Sequence, residues 1–374
     1  MHSCPSNSSG ELEPGNAVRR ILVFRPGAIG DTLLSFPALL ALRRQCTGAE
    51  ITVVGNQAPL GLGRAAGILD CHDAFGAAWI SDLFGDEPTP ALRRRLEYFD
   101  LGIVWMHSAD AAEDLACRLE AAGLRRLLPL VGFPPAGSRV HLADHLLETL
   151  APLGVSGPRP EVRLRSATDC RNERRGSPHP SSPSEEERTQ GLRAATPSLR
   201  EKDDRLVVLH PGAGGRRKRW SSAGFAALAD RFASLGHSTA ITCGPADEDA
   251  VAAVQSELRV ARPEVLAGRR LDELASILAN ATLFVGNDSG ITHLAALLGV
   301  PTVAIFGPFD PVYWAPIGER VSIVDAGFAC RHRDDPRDGC RQCDPLASLD
   351  LETVWEAVWG LGIRSEGSRV GNQG

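Results

Sequence analysis

The chain has 374 residues, of which 43% are hydrophobic and 23% charged, and its formal net charge is −6. This length favours two domains over one. The apolar fraction is large enough for sizeable cores, which excludes a disordered or fibrous chain. The negative net charge argues against a general electrostatic nucleic-acid binder.

Residues 1–18 form a polar segment without the apolar core of a signal peptide, and we expect it to be a disordered tail. No stretch reaches the roughly 18 consecutive apolar residues that a membrane-spanning helix needs. The nine cysteines are odd in number and mostly scattered, which does not favour a secreted disulfide framework. The sequence therefore predicts a cytoplasmic protein.

A polar segment at 166–204 divides the chain into two halves of similar size. Of Val, Ile, Leu, Met, Phe and Trp it contains only Leu192 and Leu199, so it cannot bury enough apolar surface to offset its ordering entropy. We predict a disordered linker between a domain at 19–165 and a second domain at 205–374.

The first half alternates short apolar runs with amphipathic segments. Runs of β-branched and other apolar residues predict strands at 21–24, 51–54 and 101–105. From Asp31 to Leu42, apolar residues recur with the period of a helix, which predicts one continuous helix. Strands that alternate with helices imply βαβ units and a parallel sheet.

The second half repeats this alternation. A helix at 222–235 is expected to be capped by Ser221 or Ser222, and a terminal helix at 350–361 is expected to pack across both lobes. Apolar runs predict further strands at 206–209, 239–242, 283–285 and 302–306. Two doubly wound lobes would leave a cleft between the carboxyl ends of their sheets, where open α/β folds bind ligands.

The strongest motif is VGNDSGITHLAALLGVPTVAIFGP at 285–308. Asp288, Ser289 and Gly290 lie between a predicted strand and a predicted helix, so the backbone N–H groups there would favour a phosphate. Thr292 and His293 lie on the first turn and are candidates for the same ligand. The alternative is purely structural, with Asp288 or Ser289 as N-cap and His293 as a core histidine.

A second motif, HPGAGGRRKRW, occupies 210–220. Its three glycines would let the backbone approach a ligand closely. Lysine occurs only at Lys202 and Lys218, so 38 of the 40 basic residues are arginine. A lysine kept beside a glycine-rich turn suggests a need for a compact ammonium that neutralises a diphosphate. The alternative is a basic surface loop.

A third motif, RPGAIGDT at 25–32, follows the first predicted strand and lacks the full G-x-G-x-x-G dinucleotide pattern. Asp31 has two interpretations. It is either an N-cap or N1 carboxylate of the following helix or a general base that faces the cleft.

Together, IGDTLLSFPALLALRR, HPGAGGRRKRW and GNDSGITHLAALLGVPTVAIFGP, in this order, resemble the ADP-heptose:lipopolysaccharide heptosyltransferases of glycosyltransferase family 9. The resemblance covers about 19–165 and 205–365. It implies an α/β GT-B fold of two Rossmann-like lobes, with the acceptor on the first and the nucleotide-sugar on the second. It also implies an inverting transfer of heptose from ADP-heptose to a lipopolysaccharide core or related glycan.

The resemblance also implies roles for individual residues. Asp31 matches the base that takes the acceptor proton, and Lys218 matches the lysine at the diphosphate. Residues around the phosphates and the sugar would be Gly212, Gly214, Asp288, Ser289, Gly290, Thr292 and His293. Glu248 matches the acidic residue near the ribose. No cofactor is expected.

Two patterns, one of acidic residues and one rich in cysteine, are compatible with a metal-binding site. Asp247 and Asp249 have the spacing of a D-x-D metal site, but acidic residues after a Gly-Pro turn more often begin a helix, and we expect leaving-group stabilisation without a metal. Near the C-terminus, a weak candidate zinc set consists of Cys330, His332, Cys340 and Cys343.

Alternative functions are a sugar-nucleotide epimerase of similar two-lobed fold and a non-catalytic nucleotide-sugar-binding protein. The expected partners are ADP-heptose or a similar nucleotide-sugar and a glycolipid acceptor, with no nucleic acid. Arginines at 93–95 and 125–126 suggest peripheral contact with an anionic surface at the inner face of the cytoplasmic membrane, and the alternative is a solvated charge run on a helix.

Overall fold

A computed structural model describes residues 18–165, 205–327 and 344–362. These residues form two α/β lobes, each built on a twisted sheet in which every paired strand is parallel. The first sheet has the strand order β3-β2-β1-β4-β5, and the second has the order β11-β10-β9-β6-β7-β8. The predicted α/β fold class is confirmed. The predicted linker and the predicted tail, apart from Val18, lie outside the described residues.

The strands of the first lobe are β1 (Arg20–Arg25), β2 (Glu50–Gly55), β3 (Cys71–Ala74), β4 (Leu101–Met106) and β5 (Leu127–Val131). Its helices are α1 (Ile29–Leu33), α2 (Phe36–Gln45), α3 (Gln57–Ala65), α4 (Ala78–Leu83), α5 (Pro90–Leu96), α6 (Ala109–Ala121) and α7 (Leu142–Glu148). The three strands predicted for this lobe are confirmed, and the structure adds β3 and β5.

The strands of the second lobe are β6 (Leu206–His210), β7 (Ser238–Cys243), β8 (Glu264–Ala267), β9 (Leu283–Asn287), β10 (Thr302–Phe306) and β11 (Val321–Asp325). Its helices are α8 (Ser222–Ser234), α9 (Glu248–Glu257), α10 (Leu271–Leu278), α11 (Gly290–Leu297), α12 (Pro311–Trp314) and α13 (Leu351–Gly360). Single 3₁₀ turns lie at Ala151–Leu153, Arg216–Lys218 and Pro345–Ser348. All four strands predicted for this lobe are confirmed.

The helix expected from Asp31 onwards is two helices. α1 ends at Leu33 and α2 begins at Phe36, and Pro37 occupies the first turn of α2. One helix cannot run unbroken through Pro37, because the proline ring would collide with the carbonyl of the residue four positions earlier. α1 is therefore a separate short helix, and it packs against α11 of the second lobe.

The terminal helix also differs from expectation. α13 begins after the N-cap Asp350, as predicted, but it packs on β10, β11 and α8 of the second lobe rather than across both lobes. Its Trp355 contacts Phe232 of α8, and Arg231 pairs with Glu352 at 2.7 Å. Its apolar face is therefore used within one lobe.

The lobes meet over a continuous apolar cluster that includes residues of β1, β6 and α11. α1 packs against α11, and the N–H of Leu164 donates to the carbonyl of Leu297 at 2.8 Å. A loop of the first lobe also reaches α12, where the N–H of Arg139 donates to the Tyr313 hydroxyl. In the described part of the chain, no helix combines the length and apolar character needed to cross a bilayer.

Candidate active site

The turn between β9 and α11 carries the strongest motif at the carboxyl edge of the second sheet. Ser289 is the N-cap of α11, and its hydroxyl accepts the N–H of Thr292. Of the two N-cap candidates, the structure selects Ser289. Asp288 is only 6% exposed and precedes the helix, so its carboxylate lies beside the N–H groups that would attract a phosphate.

Thr292 does not extend into the cleft. Its side chain is fully buried, and its hydroxyl donates to the carbonyl of Asn287. The expectation that Thr292 reaches the ligand is therefore not supported by its geometry, because its only hydroxyl hydrogen is used within the turn.

Lys218 lies directly against this turn. Its ammonium is 2.7 Å from Oδ2 of Asp288 and 4.0 Å from the centre of the Phe309 ring. The ammonium is thus held between a buried carboxylate and the face of an aromatic ring, two environments that favour a cation. The lysine and the aspartate that the sequence singled out from separate motifs form one ion pair.

The loop that carries Lys218 is held by Asn287. This fully buried amide accepts the N–H of Trp220 at 2.9 Å and donates to the carbonyl of Pro211 at 2.9 Å. Gly212 has no room for a side chain, because an added Cβ would overlap the carboxylate of Asp247. Gly214 differs: an added Cβ there meets open space, so its position does not require glycine for steric reasons.

His293 is buried at 4% exposure, and its Nδ1 has no hydrogen-bond partner among the described residues. Burial lowers the pKa of His293 to about 4, although the Asp288 carboxylate acts in the opposite direction. The imidazole is therefore neutral near pH 7 and serves as a hydrogen-bond donor or acceptor rather than as a cation.

Asp31 is the third residue of α1, not its N-cap or first residue. Its Oδ2 accepts the N–H of Ala28 at 2.9 Å, which satisfies one of the free donors at the helix start. The carboxylate is half-buried, and Gly27 lies so close that an added Cβ would be 2.8 Å from the Cβ of Asp31. Asp31 therefore has a helix-capping role whatever else it does.

The N-terminal turns of α1 and α11 face each other across the lobe boundary. A Cβ added at Gly30 would lie 3.2 Å from Cδ2 of His293, and one added at Gly290 would lie 2.6 Å from the Cβ of Ile29. Both glycines permit this close approach of backbones. The turn that carries Asp31 is therefore brought against the turn that carries Asp288 and His293.

The acidic residues after β7 have separate environments. Asp247 accepts the N–H of Gly244 at 3.0 Å, whereas Asp249 pairs with Arg219 at 2.9 Å. The hydrogen bonds from Arg219 hold the pKa of the Asp249 carboxyl below its usual range. Glu248 is exposed on the first turn of α9, at the same edge of the sheet as Gly212. Asp247 and Asp249 thus have protein partners of their own, and the helix-start interpretation of this segment is confirmed.

The weak zinc candidates Cys330, His332, Cys340 and Cys343 lie outside the described residues. Of the basic runs, Arg95 pairs with Asp73 at 2.6 Å and lies over the Trp79 ring. Arg93 donates to the carbonyl of Ala121. These two arginines have intramolecular roles on the first lobe.

Sequence reasoning missed Arg25, the last residue of β1. It is only 1% exposed, and none of its guanidinium nitrogens has a hydrogen-bond partner among the described residues. Burial lowers the pKa of Arg25, and the charge of Asp31 opposes that change. An arginine that ends a predicted buried strand was the available signal, because a charge is rarely fully buried without a partner.

The sequence comparison with a known family falls on the second lobe. Residues 163–340 match the family model described as glycosyltransferase family 9 (heptosyltransferase). The chain is 28% identical over 191 residues to lipopolysaccharide heptosyltransferase 3 of Escherichia coli (strain K12), a match that covers 50% of this chain and 50% of that protein. The match thus spans about half the length of this relative.

Two solved structures share the fold of almost the whole chain. The glycosyl transferase family 9 from Veillonella parvula DSM 2008 superposes with a TM-score of 0.69 at 21% identity, covering 94% of this chain and 98% of that one. The E. coli heptosyltransferase WaaC with ADP gives a TM-score of 0.60 at 18% identity, covering 91% and 99%. The expected GT-B fold is confirmed. The family model adds to the fold that residues 163–340, a little under half of the chain, are similar to glycosyltransferase family 9 (heptosyltransferase).

Proposed function

We propose that this protein is an inverting glycosyltransferase that moves heptose from ADP-heptose to a lipopolysaccharide core or related glycan acceptor. The second lobe would bind the nucleotide-sugar, and the first lobe would present the acceptor hydroxyl to it. The related E. coli protein is named as a lipopolysaccharide heptosyltransferase, and the WaaC structure contains ADP.

One observation carries the proposal. The first turn of α1, with Asp31, is packed against the first turn of α11, where Asp288 is paired with Lys218. A carboxylate from one lobe therefore lies beside the helix N-terminus of the other lobe, whose free N–H groups favour a phosphate. This is the arrangement that a transfer between two substrates held on two lobes requires.

In the proposed reaction, the Asp31 carboxylate takes the proton of the acceptor hydroxyl as its oxygen bonds to the anomeric carbon. The bond from that carbon to the β-phosphate oxygen breaks, and its electron pair leaves with ADP. Lys218 and the N–H groups at the start of α11 stabilise the growing negative charge on the diphosphate. Attack from the face opposite the leaving group inverts the configuration.

The other site residues have supporting roles in this proposal. Gly212 allows the loop after β6 to lie close to the phosphates, and Gly214 is exposed beside it. Neutral His293 would hydrogen-bond a sugar or phosphate oxygen from the floor of the turn. Glu248 would bind the ribose hydroxyls. For the acceptor, we propose a glycolipid reached at the inner face of the cytoplasmic membrane.

The test is to incubate the purified protein with ADP-, UDP- and GDP-linked sugars, measure binding by calorimetry, and follow transfer to a heptose-deficient lipopolysaccharide core. Preferential binding of ADP-heptose, with transfer that inverts the anomeric configuration, is the expected result. Preference for a UDP-sugar would overturn the donor assignment. Interconversion of the sugar without an acceptor would indicate an epimerase, and binding without turnover would indicate a non-catalytic protein.

A further inference from the structure

The guanidinium of Arg25 is buried, and no carboxylate in the described part of the chain forms an ion pair with it. The side chain is 1% exposed, and Nε, Nη1 and Nη2 all lack hydrogen-bond partners among the described residues. The guanidinium lies over the Phe133 ring, whose centre is 5.1 Å from Cζ of Arg25. Within the described ranges, the five N–H donors of the guanidinium therefore have an aromatic face beside them but no hydrogen-bond acceptor.

Such an arrangement is costly for the fold. Burial of a charge without a paired anion is among the most unfavourable events in protein folding, and an aromatic face recovers only a small part of that cost. Arginine cannot escape the cost by losing its proton, since its intrinsic pKa is too high. A buried polar group without a partner requires an explanation, and a bound ion or a role in catalysis is one such explanation.

The position of Arg25 in the fold indicates which ligand that is. It ends β1, the central strand of the first sheet, at the carboxyl edge where α/β lobes bind ligands. Asp31, the proposed base, follows six residues later and is close enough for its charge to act on Arg25. Phe133, which covers the guanidinium, contacts Trp314 of the second lobe with ring centres 6.0 Å apart. The guanidinium therefore lies beneath the cleft, on the acceptor side.

We propose that Arg25 is the receptor for an anionic group of the acceptor, a carboxylate or a phosphate, at the floor of the first lobe. This inference rests on the proposed function and adds that the acceptor carries a negative charge near the hydroxyl that reacts. The planar fork of the guanidinium matches both anions with two parallel hydrogen bonds. Bound there, the anion fixes the acceptor beside Asp31.

Access requires the Phe133 ring to move. Gly132 and Phe133 lie over the guanidinium, and a Cβ added at Gly132 would be 2.8 Å from Nη1 of Arg25. Because Phe133 contacts Trp314 of the second lobe, separation of the lobes removes a contact that holds the ring in place. Acceptor entry is thus linked to opening of the cleft.

The direct test is sugar binding by saturation-transfer NMR, with ADP present to occupy the second lobe. The probes are glucuronate, glucose 6-phosphate and, as the neutral control, glucose. We expect one of the two acidic sugars to bind to the natural protein, which distinguishes carboxylate from phosphate, and glucose not to bind. Arg25→Met is expected to weaken that binding at least tenfold, and Arg25→Lys to weaken it less because it keeps the charge but not the fork.

Three results would overturn the proposal: no binding of either acidic sugar, equal binding by Arg25→Met, or binding that is lost in Lys218→Ala but kept in Arg25→Met. All three outcomes are measured as binding by NMR and do not depend on heptose transfer. A wrong donor or reaction assignment would appear in the turnover assay instead, so the two failures are distinguishable.

Thermal unfolding supplies an independent readout. If the role of Arg25 is to bind an anionic ligand, its buried charge destabilises the ligand-free protein. Arg25→Met removes that charge and should raise Tm by about 2–4 °C in the absence of ligand. The matched control is Arg43→Met in the same lobe, which removes the 2.6 Å pair with Asp70 and should lower Tm. A fall in Tm for Arg25→Met would assign Arg25 a structural role and overturn the proposal.

Discussion

The ammonium of Lys218 lies 2.7 Å from Oδ2 of Asp288, so two residues 70 positions apart in the chain form an ion pair at the carboxyl edge of the second sheet. Asp288 is 8% exposed at its side chain and Lys218 25%. The pair is therefore partly desolvated, which makes its attraction stronger than that of a surface ion pair. It also preorganises the lysine beside the start of α11.

Replacement of Lys218 should weaken ADP binding. Lys218→Ala removes the proposed charge-assisted hydrogen bond from the ammonium to the diphosphate of ADP, which is worth about 1.5–3 kcal/mol. Calorimetry should therefore show an ADP affinity roughly 10- to 150-fold lower. Lys218→Arg keeps the charge but replaces a compact ammonium with a wide planar group against Phe309, and we expect an intermediate loss.

The control separates binding from folding. Lys218→Ala leaves the Asp288 carboxylate buried without its cation and should also reduce stability by about 1–3 kcal/mol. Combining it with Asp288→Asn removes that charge, so the double variant should regain stability while ADP affinity stays low. Affinity that recovers together with stability would mean that Lys218 acts only through the fold.

Asp31 should be required for turnover and not for donor binding. A positioned general base contributes about 10²–10⁴ in rate, so Asp31→Asn should reduce kcat by that factor. ADP-heptose binding by calorimetry should be unchanged, since Asp31 belongs to the other lobe.

Asparagine is the informative substitution because its amide oxygen can still accept the N–H of Ala28. Asp31→Asn should therefore keep this hydrogen bond and lose only the effect of the charge at the helix N-terminus, about 0.3–1 kcal/mol in the free energy of unfolding. Transfer within a few-fold of the natural rate would exclude Asp31 as the base and leave it as a helix cap.

The two glycines of the loop after β6 should respond differently to alanine. A Cβ at position 212 overlaps the Asp247 carboxylate, so Gly212→Ala should lower the free energy of unfolding by about 1–3 kcal/mol. Gly214→Ala is the matched control. Its Cβ enters open space, and its effect should stay within about 0.5 kcal/mol. Denaturant unfolding measures both, and equal effects would contradict the loop geometry.

The free energy of unfolding should decrease as the pH falls from 7 towards 4, because His293 is buried in its neutral form. Its pKa is lowered from 6.5 to about 4 by burial, so between these values the unfolded chain binds a proton that the folded protein does not. The stabilisation is complete above the unfolded pKa and is lost as the pH falls towards 4. The contribution of this one residue is about 3 kcal/mol.

Urea unfolding at several pH values between 7 and 4 measures this dependence. His210, also buried with a pKa of about 4, adds a loss in the same direction. His293→Gln should reduce the total pH dependence without abolishing it. A variant whose pH dependence equals that of the natural protein would show that His293 binds its proton equally well in the folded and unfolded states.

The alternation of strands and helices was predictable because each central strand is apolar on both faces. The runs at 21–24 and 302–306 become β1 and β10, and every residue of both runs is buried. The helix break near Ser35 was harder to foresee, since apolar periodicity continues through it while Pro37 ends it.

The edge strands of the first sheet, β3 and β5, were not predicted from the sequence, for a different reason. β3 reads CHDA and β5 contains a proline, and neither has a fully buried residue. Edge strands need only one side of their backbone paired, so their composition carries a weak signal.

The amino-acid sequence by itself determined the two parallel-sheet lobes, the polar break between them and the residue types at the ends of their strands. These properties follow from local apolar patterning and from the conformational limits of glycine and proline. Only the tertiary structure decided that Lys218 pairs with Asp288 and that Arg25 is buried with no hydrogen-bond partner for its guanidinium among the described residues. Such facts depend on which distant side chains share a desolvated volume, and no local pattern contains that information.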